Sequence, residues 1–463
     1  MTADYREIHV PLTQEPLLLM ARLARSGLHD QYAVYENGPE WSYAGGALAT
    51  LRLGREDCRA GESGGPGELP AVEKWLAALP VRGWRIYGWA AFELGAALAG
   101  ARPGGTEDTE KAEDREGAAG SEALLHLVVP AVEVRTEGDR LLLRAADPGR
   151  LERLARLVGA PDEPGAPVPP PEPAERLSLP LDDTGGYRDA VATALTELRG
   201  PGPLEKVILS RRVPVPVPLD LAATYVAGRR ANTPARSFLL DLGGVRAAGF
   251  SPETVAEVTG DRRVVSRPLA GTRARTGRPD EDARLRAELL GDPKEVHEHA
   301  ISVKLALEDL ALVCDDTRTT EYMTVEERGT VQHLASTVVG RLREDRTPWQ
   351  AFTALFPAVT STGIPKTAAY DLIHELEEGP RGLYAGAVLT LDASGALDAA
   401  LVLRSVFRQG DRCWLQAGAG IVQQSHPARE HEETCEKLRS IAHHLVPAPA
   451  PARPSEAGPA SDG

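Results

Sequence analysis

Glutamates in two segments of the C-terminal half have a spacing that suits a metal site. Glu295 and Glu298 are three residues apart, and so are Glu430 and Glu433. If both segments are helical, each pair lies on one helix face, with Lys437 one turn beyond Glu433. Two such faces opposite each other would form a cage of oxygen ligands, which suits a hard cation that retains water and binds an anionic substrate. The spacing therefore predicts one acidic magnesium site.

Two further residues could take part in acid and base chemistry. Lys206 opens the apolar run 206–210, and Glu253 follows the dipeptide Ser251-Pro252. A lysine at the start of a strand is most often a solvated end charge, and a carboxylate after a proline turn is most often a strand-entry residue. Burial would change both, because desolvation lowers the pKa of a lysine and raises that of a carboxyl group.

Local patterns predict the elements that position these residues. Apolar spacing predicts a helix from Tyr187 to Leu198, and the run from Lys206 to Ser210 predicts a strand. A helical stretch from about 280 to 314 is expected to break and restart at 291–293, where Gly-Asp-Pro stands. Residues 382–421 favour a β-meander with turns at 393–395 and 409–411, and a last helix is expected to start at Pro427. Further strands are predicted at Ser237–Leu242, Thr254–Val258 and Arg263–Arg267.

Composition describes an ordinary globular chain with an acidic balance. The 463 residues are 42% hydrophobic and 26% charged, which allows two or three domains or one large α+β domain. A net charge of −15 disfavours nucleic acid and anionic lipid as partners, because both need a basic field. Four scattered cysteines form no CxxC pair, and no long apolar run appears. We expect reduced thiols, no membrane insertion and a cytoplasmic location.

Breaks in composition divide the chain into three parts. Residues 1–176 form a divergent N-terminal segment, and residues 177–446 form a region in which helices and strands can be predicted more clearly. Within the first part, 102–121 are charged and glycine-rich, and 159–173 are rich in proline, so both are predicted to be flexible insertions. The tail 447–463 is predicted to be disordered.

Ten ordered sequence blocks resemble the chorismate-utilising enzymes, a family that includes anthranilate, aminodeoxychorismate, isochorismate and salicylate synthases. They are KVILSR (206–211), GFSPE (249–253), SRPLAGTRA (266–274), KEVHEHAISV (294–303), VQHLAS (331–336), FPAVTSTGIPK (356–366), PRGLYAGAV (380–388), LVLRSVF (401–407), QAGAGIV (416–422) and EHEETCEKL (430–438). Within the family, the first, fifth, sixth and seventh blocks look most like salicylate synthase. Ser361-Thr362 stands where Ala-Ser would be expected, close to the implied ring pocket.

The resemblance implies a fold and a reaction. The fold is α+β, with two large antiparallel sheets packed together and helices outside, and the N-terminal segment contributes strands to it. The reaction is the Mg²⁺-dependent isomerisation of chorismate to isochorismate, followed by elimination of pyruvate to leave salicylate. Three alternatives stay open. The first is a catalytically inactive binding protein with this fold, although the four glutamates and Lys206 would then be unexplained. The other two are enzymes: an isochorismate synthase that stops after the first step, and an ammonia-using anthranilate or aminodeoxyisochorismate synthase. The ammonia-using enzyme is disfavoured because relatives that use ammonia usually lack a lysine at the position of Lys206.

The resemblance also implies a role for each candidate residue. Lys206 would be the base that takes a proton from water, and Glu253 the acid that protonates the departing C4 hydroxyl. Glu298 and Glu433 would bind Mg²⁺ directly, while Glu295 and Glu430 would hold its waters. Arg404 and Tyr384 would grip the enolpyruvyl carboxylate. His333, near the ring, would be a third catalytic residue. The remaining candidates would line or contact the substrate pocket: Gly271, Thr272, Thr360, Gly418, Gly420 and Lys437.

The implied partners are few. Chorismate is the expected small-molecule substrate and Mg²⁺ the expected cofactor. No glutamine amidotransferase partner is expected, since ammonia is not consumed, and we expect a monomer. The metabolic pathway, whether it makes a siderophore or another aryl-capped metabolite, stays open.

Overall fold

A computed structural model describes residues 3–58, 69–100, 123–160, 177, 179–329 and 331–449. Its strands are β1 (Ala3–Asp4), β2 (Arg6–Pro11), β3 (Tyr32–Asn37), β4 (Glu40–Gly45), β5 (Ala49–Gly54), β6 (Val81–Arg82), β7 (Arg85–Ala90), β8 (Ala123–Val129), β9 (Val132–Glu137), β10 (Arg140–Ala145), β11 (Lys206–Val215), β12 (Arg236–Leu242), β13 (Val245–Ser251), β14 (Thr254–Val258), β15 (Arg263–Ser266), β16 (Leu269–Ala274), β17 (Cys314–Arg328), β18 (Val331–Leu342), β19 (Gly363–Ile364), β20 (Ala387–Asp392), β21 (Leu397–Leu401), β22 (Ser405–Gln409) and β23 (Arg412–Ile421). Its helices are α1 (Pro16–Arg25), α2 (Pro70–Ala77), α3 (Phe92–Leu98), α4 (Pro148–Gly159), α5 (Tyr187–Arg199), α6 (Leu221–Ala231), α7 (Pro279–Gly291), α8 (Pro293–Ala311), α9 (Pro348–Leu355), α10 (Lys366–Leu376) and α11 (Pro427–Ala442).

Two large antiparallel sheets form the framework. The larger has eleven strands in the order β19-β11-β23-β22-β13-β12-β3-β4-β9-β10-β2. The smaller has ten, in the order β16-β18-β15-β14-β21-β20-β7-β8-β5, with β17 pairing β18. Both sheets combine strands from the first 176 residues with strands from the rest of the chain. The predicted α+β fold with two large antiparallel sheets is confirmed.

Side chains of both sheets share one hydrophobic core. Trp89 of β7 and Phe238 of β12 are almost fully buried in it, and the Trp89 indole N–H donates to the carbonyl of Leu242 at 2.9 Å. A second core lies between the larger sheet and helices α1, α4, α6 and α11, with Leu19 and Leu438 among its members. The larger sheet is therefore covered by the smaller sheet on one face and by helices on the other.

The two helices that bear the paired glutamates begin where the sequence predicts. Helix α8 starts at Pro293, and the Asp292 side chain accepts hydrogen bonds from the backbone N–H groups of Lys294 and Glu295. A proline costs no hydrogen bond in the first turn of a helix, and an aspartate before it satisfies the free N–H groups. The predicted break between α7 and α8 is confirmed, and so is the start of α11 at Pro427.

The predicted β-meander at 382–421 is wrong in one respect. Both predicted turns are present, but β20 and β21 pair in the smaller sheet, whereas β22 and β23 pair in the larger one. The chain crosses between the sheets from Leu401 to Ser405, and Arg404 in this crossing has a φ of 50°. Four consecutive strand patterns do not reveal such a crossing, because strand periodicity carries no information about the sheet to which a hairpin belongs.

The predicted flexible segments fall almost entirely outside the described residues. Residues 102–121, 161–173 and 450–463 are not described, so the predictions for them remain predictions. Of the described remainder, Gly159 ends α4, and Pro447 forms an isolated bridge with Leu219. Within the described ranges, no helix is long and apolar enough to cross a membrane.

Candidate active site

Most of the predicted site residues line a single cavity. Its wall combines β11 and β23 of the larger sheet with β16 and β18 of the smaller one, and α8 and α11 close it. The predicted residues that line it are Glu253, Gly271, Thr272, Glu298, His333, Thr360, Tyr384, Arg404, Gly418, Gly420, Glu433 and Lys437. Three predicted residues lie behind this wall: Lys206, Glu295 and Glu430. Lys206 contacts Glu298, which is part of the wall, and the two glutamates both contact Lys294. The structure thus brings residues more than 200 positions apart into one site.

The four predicted metal-binding glutamates are buried, and each contacts a cation. Glu298 lies 3.0 Å from the Lys206 ammonium, and Glu433 lies 2.7 Å from that of Lys437. On the side away from the cavity, Lys294 and Arg273 provide the cations: Lys294 Nζ is 3.0 Å from Glu430 Oε1, and Arg273 Nη1 is 3.2 Å from Glu295 Oε1. Burying four carboxylates is costly unless charge and hydrogen bonds offset it.

Lys294 lies between several of these carboxylates. Besides Glu430, its ammonium is 4.0 Å from both Glu295 and Glu298, and the combined negative charge keeps its pKa above the usual value despite burial. The sequence offered a signal for it, since Lys294 is four residues before Glu298 on the same helix. Arg273 offered no such signal, because it reaches Glu295 from a different element.

Burial and neighbouring charges divide the carboxylates into two groups. Burial raises the pKa of Glu295 to about 7 and also raises that of Glu430. Burial acts in the same direction on Glu298 and Glu433, but the lysines beside them outweigh it and lower their pKa values. The two carboxylates that line the cavity are therefore the two that stay ionised most easily, which is the state that binds a metal ion.

Among the described residues, no three carboxylates converge on one point in the way that metal ligands do. The donor set nevertheless suits a hard cation, since it consists of carboxylate oxygens. One of these, Glu430 Oε2, is buried without a hydrogen-bond partner within the described chain.

Two glycines provide the space that these carboxylates occupy. A Cβ at Gly420 would lie 2.2 Å from Glu298 Oε1, and a Cβ at Gly271 would lie 2.8 Å from Glu295 Oε2. Gly271 also has a φ of +73°, which side chains rarely adopt. The glycine blocks thus provide room for the acidic cluster.

Lys206 is a fully buried residue and not a solvated strand end. Its Nζ contacts Glu298 Oε1 at 3.0 Å and donates to Ser302 Oγ at 3.1 Å. Strand β11 fixes its backbone, because Lys206 pairs with Ile364 of β19 on one side and the next residue, Val207, pairs with Ile421 of β23 on the other. The amine is therefore held one contact behind the cavity wall, next to the acidic cluster.

Glu253 is buried in the cavity wall between β13 and β14. Burial raises its pKa to about 8, and the Thr360 hydroxyl donates to Glu253 Oε1 at 2.6 Å. A carboxyl group with such a pKa keeps its proton at neutral pH and can give it to a leaving group. The structure assigns Thr360 a contact with this carboxyl group in addition to its place in the wall.

Arg404 presents a guanidinium group to the cavity. Its hydrogen-bond partners in the described chain are oxygens of Ser440, at 3.0 Å, and Lys437, at 3.4 Å, neither of which is a carboxylate. Burial lowers its pKa to about 10, so it remains charged at neutral pH. A half-buried cation next to a cavity, without a carboxylate among its hydrogen-bond partners, is suited to bind a carboxylate of a ligand. Tyr384 lines the same cavity.

His333 is a neutral hydrogen-bond acceptor in this site. Burial and the charge of Arg404 lower its pKa to about 3. Its Nδ1 is 3.1 Å from the Thr272 hydroxyl and 3.2 Å from the carbonyl oxygen of Gly271; because the carbonyl only accepts, a proton on Nδ1 would satisfy both contacts. Nε2 is buried without a partner among the described residues. In the tautomer with the proton on Nδ1, Nε2 can accept a hydrogen bond from a ligand.

Sequence reasoning missed several residues of the cavity wall and its support. Gln416 lines the cavity and donates from Nε2 to Ser210 Oγ at 2.9 Å. Ser302, Arg273 and Lys294 support the wall from behind. All four residues stand inside three of the sequence blocks, which was the available signal. Only the folded chain reveals their contacts.

The fold and the site together define the class of this enzyme. The family model of chorismate binding enzymes matches residues 33–443, and the chain belongs to this family. The predicted resemblance is confirmed.

Relatives that match nearly the whole chain and relatives that match part of it have different activities. A salicylate synthase of Mycolicibacterium paratuberculosis is 40% identical over 455 residues, covering 95% of this chain and 96% of its own. Component 1 of the anthranilate synthase of Thermus thermophilus is 39% identical over 325 residues, covering 68% of this chain and 70% of its own. The solved menaquinone-specific isochorismate synthase of Escherichia coli superposes with a TM-score of 0.72 over 96% of this chain and 95% of its own, at 21% identity, and so confirms the fold.

Proposed function

We propose that this protein is a magnesium-dependent salicylate synthase, which converts chorismate to isochorismate and then to salicylate and pyruvate. The similarity to a salicylate synthase over nearly the whole length of both chains supports this activity. The observation that carries the first step is Lys206, a buried amine beside the acidic cluster and behind the cavity wall. Water is a weak nucleophile and needs a base to take its proton as it attacks, whereas ammonia is a stronger nucleophile and can attack without one.

In the first step, water adds at C2 of the ring while hydroxide leaves C4, so composition does not change. Lys206 accepts the proton that the attacking water loses. Glu253, protonated at neutral pH because of its raised pKa, gives a proton to the departing hydroxyl. Lys206 as base and Glu253 as acid would divide the proton transfers of this step.

The second step needs positioning more than proton transfer. The hydrogen at C2 of isochorismate passes to the methylene of the enolpyruvyl group as the C–O bond to the ring breaks, which releases pyruvate and leaves salicylate. Arg404 and Tyr384 would hold the enolpyruvyl carboxylate, so that the side chain folds over the ring. His333, with its unpartnered Nε2, would accept a hydrogen bond from the substrate.

The metal proposal follows from the placement of the four glutamates. Glu298 and Glu433 line the cavity and would bind Mg²⁺ directly, while Glu295 and Glu430 would hold its waters. When bound there, Mg²⁺ supplies a Lewis acid that offsets the charge of the ring carboxylate. Lys437, whose ammonium also donates to the carbonyl of Gly418 at 2.8 Å, would keep Glu433 oriented.

The remaining proposals concern the chain as a whole. Residues 177–446 would form the catalytic region, because every proposed site residue lies within it, and residues 1–176 would complete the two sheets. We propose that the enzyme works in the cytoplasm as a monomer, without a glutamine amidotransferase partner.

One assay tests the activity. Purified protein with chorismate and Mg²⁺ is expected to give salicylate, followed by its fluorescence, and pyruvate in equal amounts. A chelator in excess over Mg²⁺ should stop the reaction. Isochorismate without salicylate or pyruvate would identify an isochorismate synthase instead, and a product that changes on addition of ammonium would identify an ammonia-using enzyme.

Replacing Glu433 with glutamine tests the metal site. The substitution removes one proposed ligand charge, so we expect activity to fall and the Mg²⁺ concentration for half-maximal activity to rise by about 10-fold to 100-fold. Calorimetric titration of Mg²⁺ should show the same loss of affinity. Glu432→Gln is the matched control, since the neighbouring Glu432 side chain is 48% exposed and pairs with Arg439. Unchanged activity of Glu433→Gln at every Mg²⁺ concentration would remove Glu433 from the metal site.

A further inference from the structure

Ser302 contacts the amine of Lys206 from inside helix α8. Both residues are fully buried, and Lys206 Nζ donates to Ser302 Oγ at 3.1 Å. The Ser302 hydroxyl lies one helical turn after Glu298 and donates its own proton to the carbonyl of Glu298 at 2.8 Å. One helix therefore provides both partners of the amine, the Glu298 carboxylate and the Ser302 hydroxyl.

The direction of these hydrogen bonds is fixed. Since the Ser302 hydroxyl has one proton and gives it to a carbonyl, its oxygen can only accept from Lys206. An amine has N–H donors whether it is charged or neutral, so this contact persists in both protonation states. The second contact of the amine is with Glu298 Oε1 at 3.0 Å.

We propose that Ser302 is a positioning residue for Lys206, which holds the amine in place during the hydration step. This inference rests on the proposed function. A lysine side chain has four rotatable bonds, so its amine takes several positions unless neighbouring groups hold it. With Nζ held by Ser302 at 3.1 Å and by Glu298 at 3.0 Å, the amine has a defined position before the reaction begins, which lowers the entropic cost of reaching the transition state.

Ser302→Ala tests this role in the two half-reactions separately. Because a misplaced base slows only proton transfer from water, we expect kcat for isochorismate formation to fall about 10-fold to 100-fold with the KM for chorismate nearly unchanged. Conversion of supplied isochorismate to salicylate should stay within about twofold of the wild-type rate, since that step does not use Lys206. Ser302→Thr keeps the hydroxyl and should recover most of the isomerisation.

Two further measurements separate this role from a structural one. Thr193→Ala removes the same kind of hydrogen bond, from a side-chain hydroxyl to the carbonyl four residues earlier, in helix α5, and should leave both half-reactions unchanged. The thermal unfolding of each variant shows how much of any loss comes from instability. Equal losses in both half-reactions of Ser302→Ala, or an unchanged isomerisation rate, would overturn the proposal. A wild-type protein that forms neither isochorismate nor salicylate would instead overturn the proposed function.

Discussion

Replacing Lys206 with methionine is expected to lower isochorismate formation by about 1,000-fold, because general base catalysis typically contributes 100-fold to 10,000-fold. Methionine fills a similar volume in the buried position but cannot accept a proton. Supplied isochorismate should still be converted to salicylate at a measurable rate, since the elimination needs no base. The two rates are measured separately, from chorismate and from isochorismate.

Lys304→Met provides the matched control for this substitution. Lys304 lies on α8 like the partners of Lys206, but its side chain is 75% exposed and is only loosely paired with Glu308, at 3.7 Å. Its loss should change neither rate. If Lys206→Met reduced both half-reactions to the same extent, the lysine would serve the structure of the site and not the hydration of the ring.

Replacing Glu253 with glutamine is expected to lower isochorismate formation by about 100-fold to 1,000-fold, since the amide has no acidic proton to give to the leaving hydroxyl. Glutamine keeps the shape of the side chain and an oxygen that can accept from Thr360. The thermal stability should therefore change little, and a large loss of stability with the loss of activity would point to a structural role.

The pH dependence provides a second test of Glu253. The acid works only when protonated, and burial raises its pKa to about 8, so the rate of isomerisation should be high at neutral pH and fall as the pH rises through about 8. In Glu253→Gln this loss at high pH should disappear, because the group that titrates is gone. A wild-type rate that stays constant from pH 7 to about 9.5 would contradict this assignment.

The sequence predicted the secondary structure around the site because the signals there are local. Pro293 with Asp292 before it, and Pro427 in the first turn of α11, are sufficient to place two helices and so the glutamates on them. Lys206 illustrates the limit of such signals. A lysine at the start of a strand is consistent with both a solvated and a buried position, and only the similarity of sequence blocks favoured the buried one.

What the sequence could not predict depends on contacts between distant elements. Arg273 meets Glu295 from a strand, and Lys294 meets Glu430 across more than a hundred residues. No spacing rule applies to such pairs. The depth of each carboxylate was likewise unpredictable: Glu295 and Glu298 share a helix face, but only Glu298 reaches the cavity.

Because the chain crosses between the sheets at Arg404, the affinity for a ligand bound there should depend on the positions of both sheets. Arg404 lies in the short link from β21 to β22, so it is tied to the smaller layer before it and to the larger layer after it. A carboxylate bound by its guanidinium group would be held where the two sheets meet. Substitutions that shift one sheet relative to the other, even far from the cavity, should therefore change the affinity for anionic ligands.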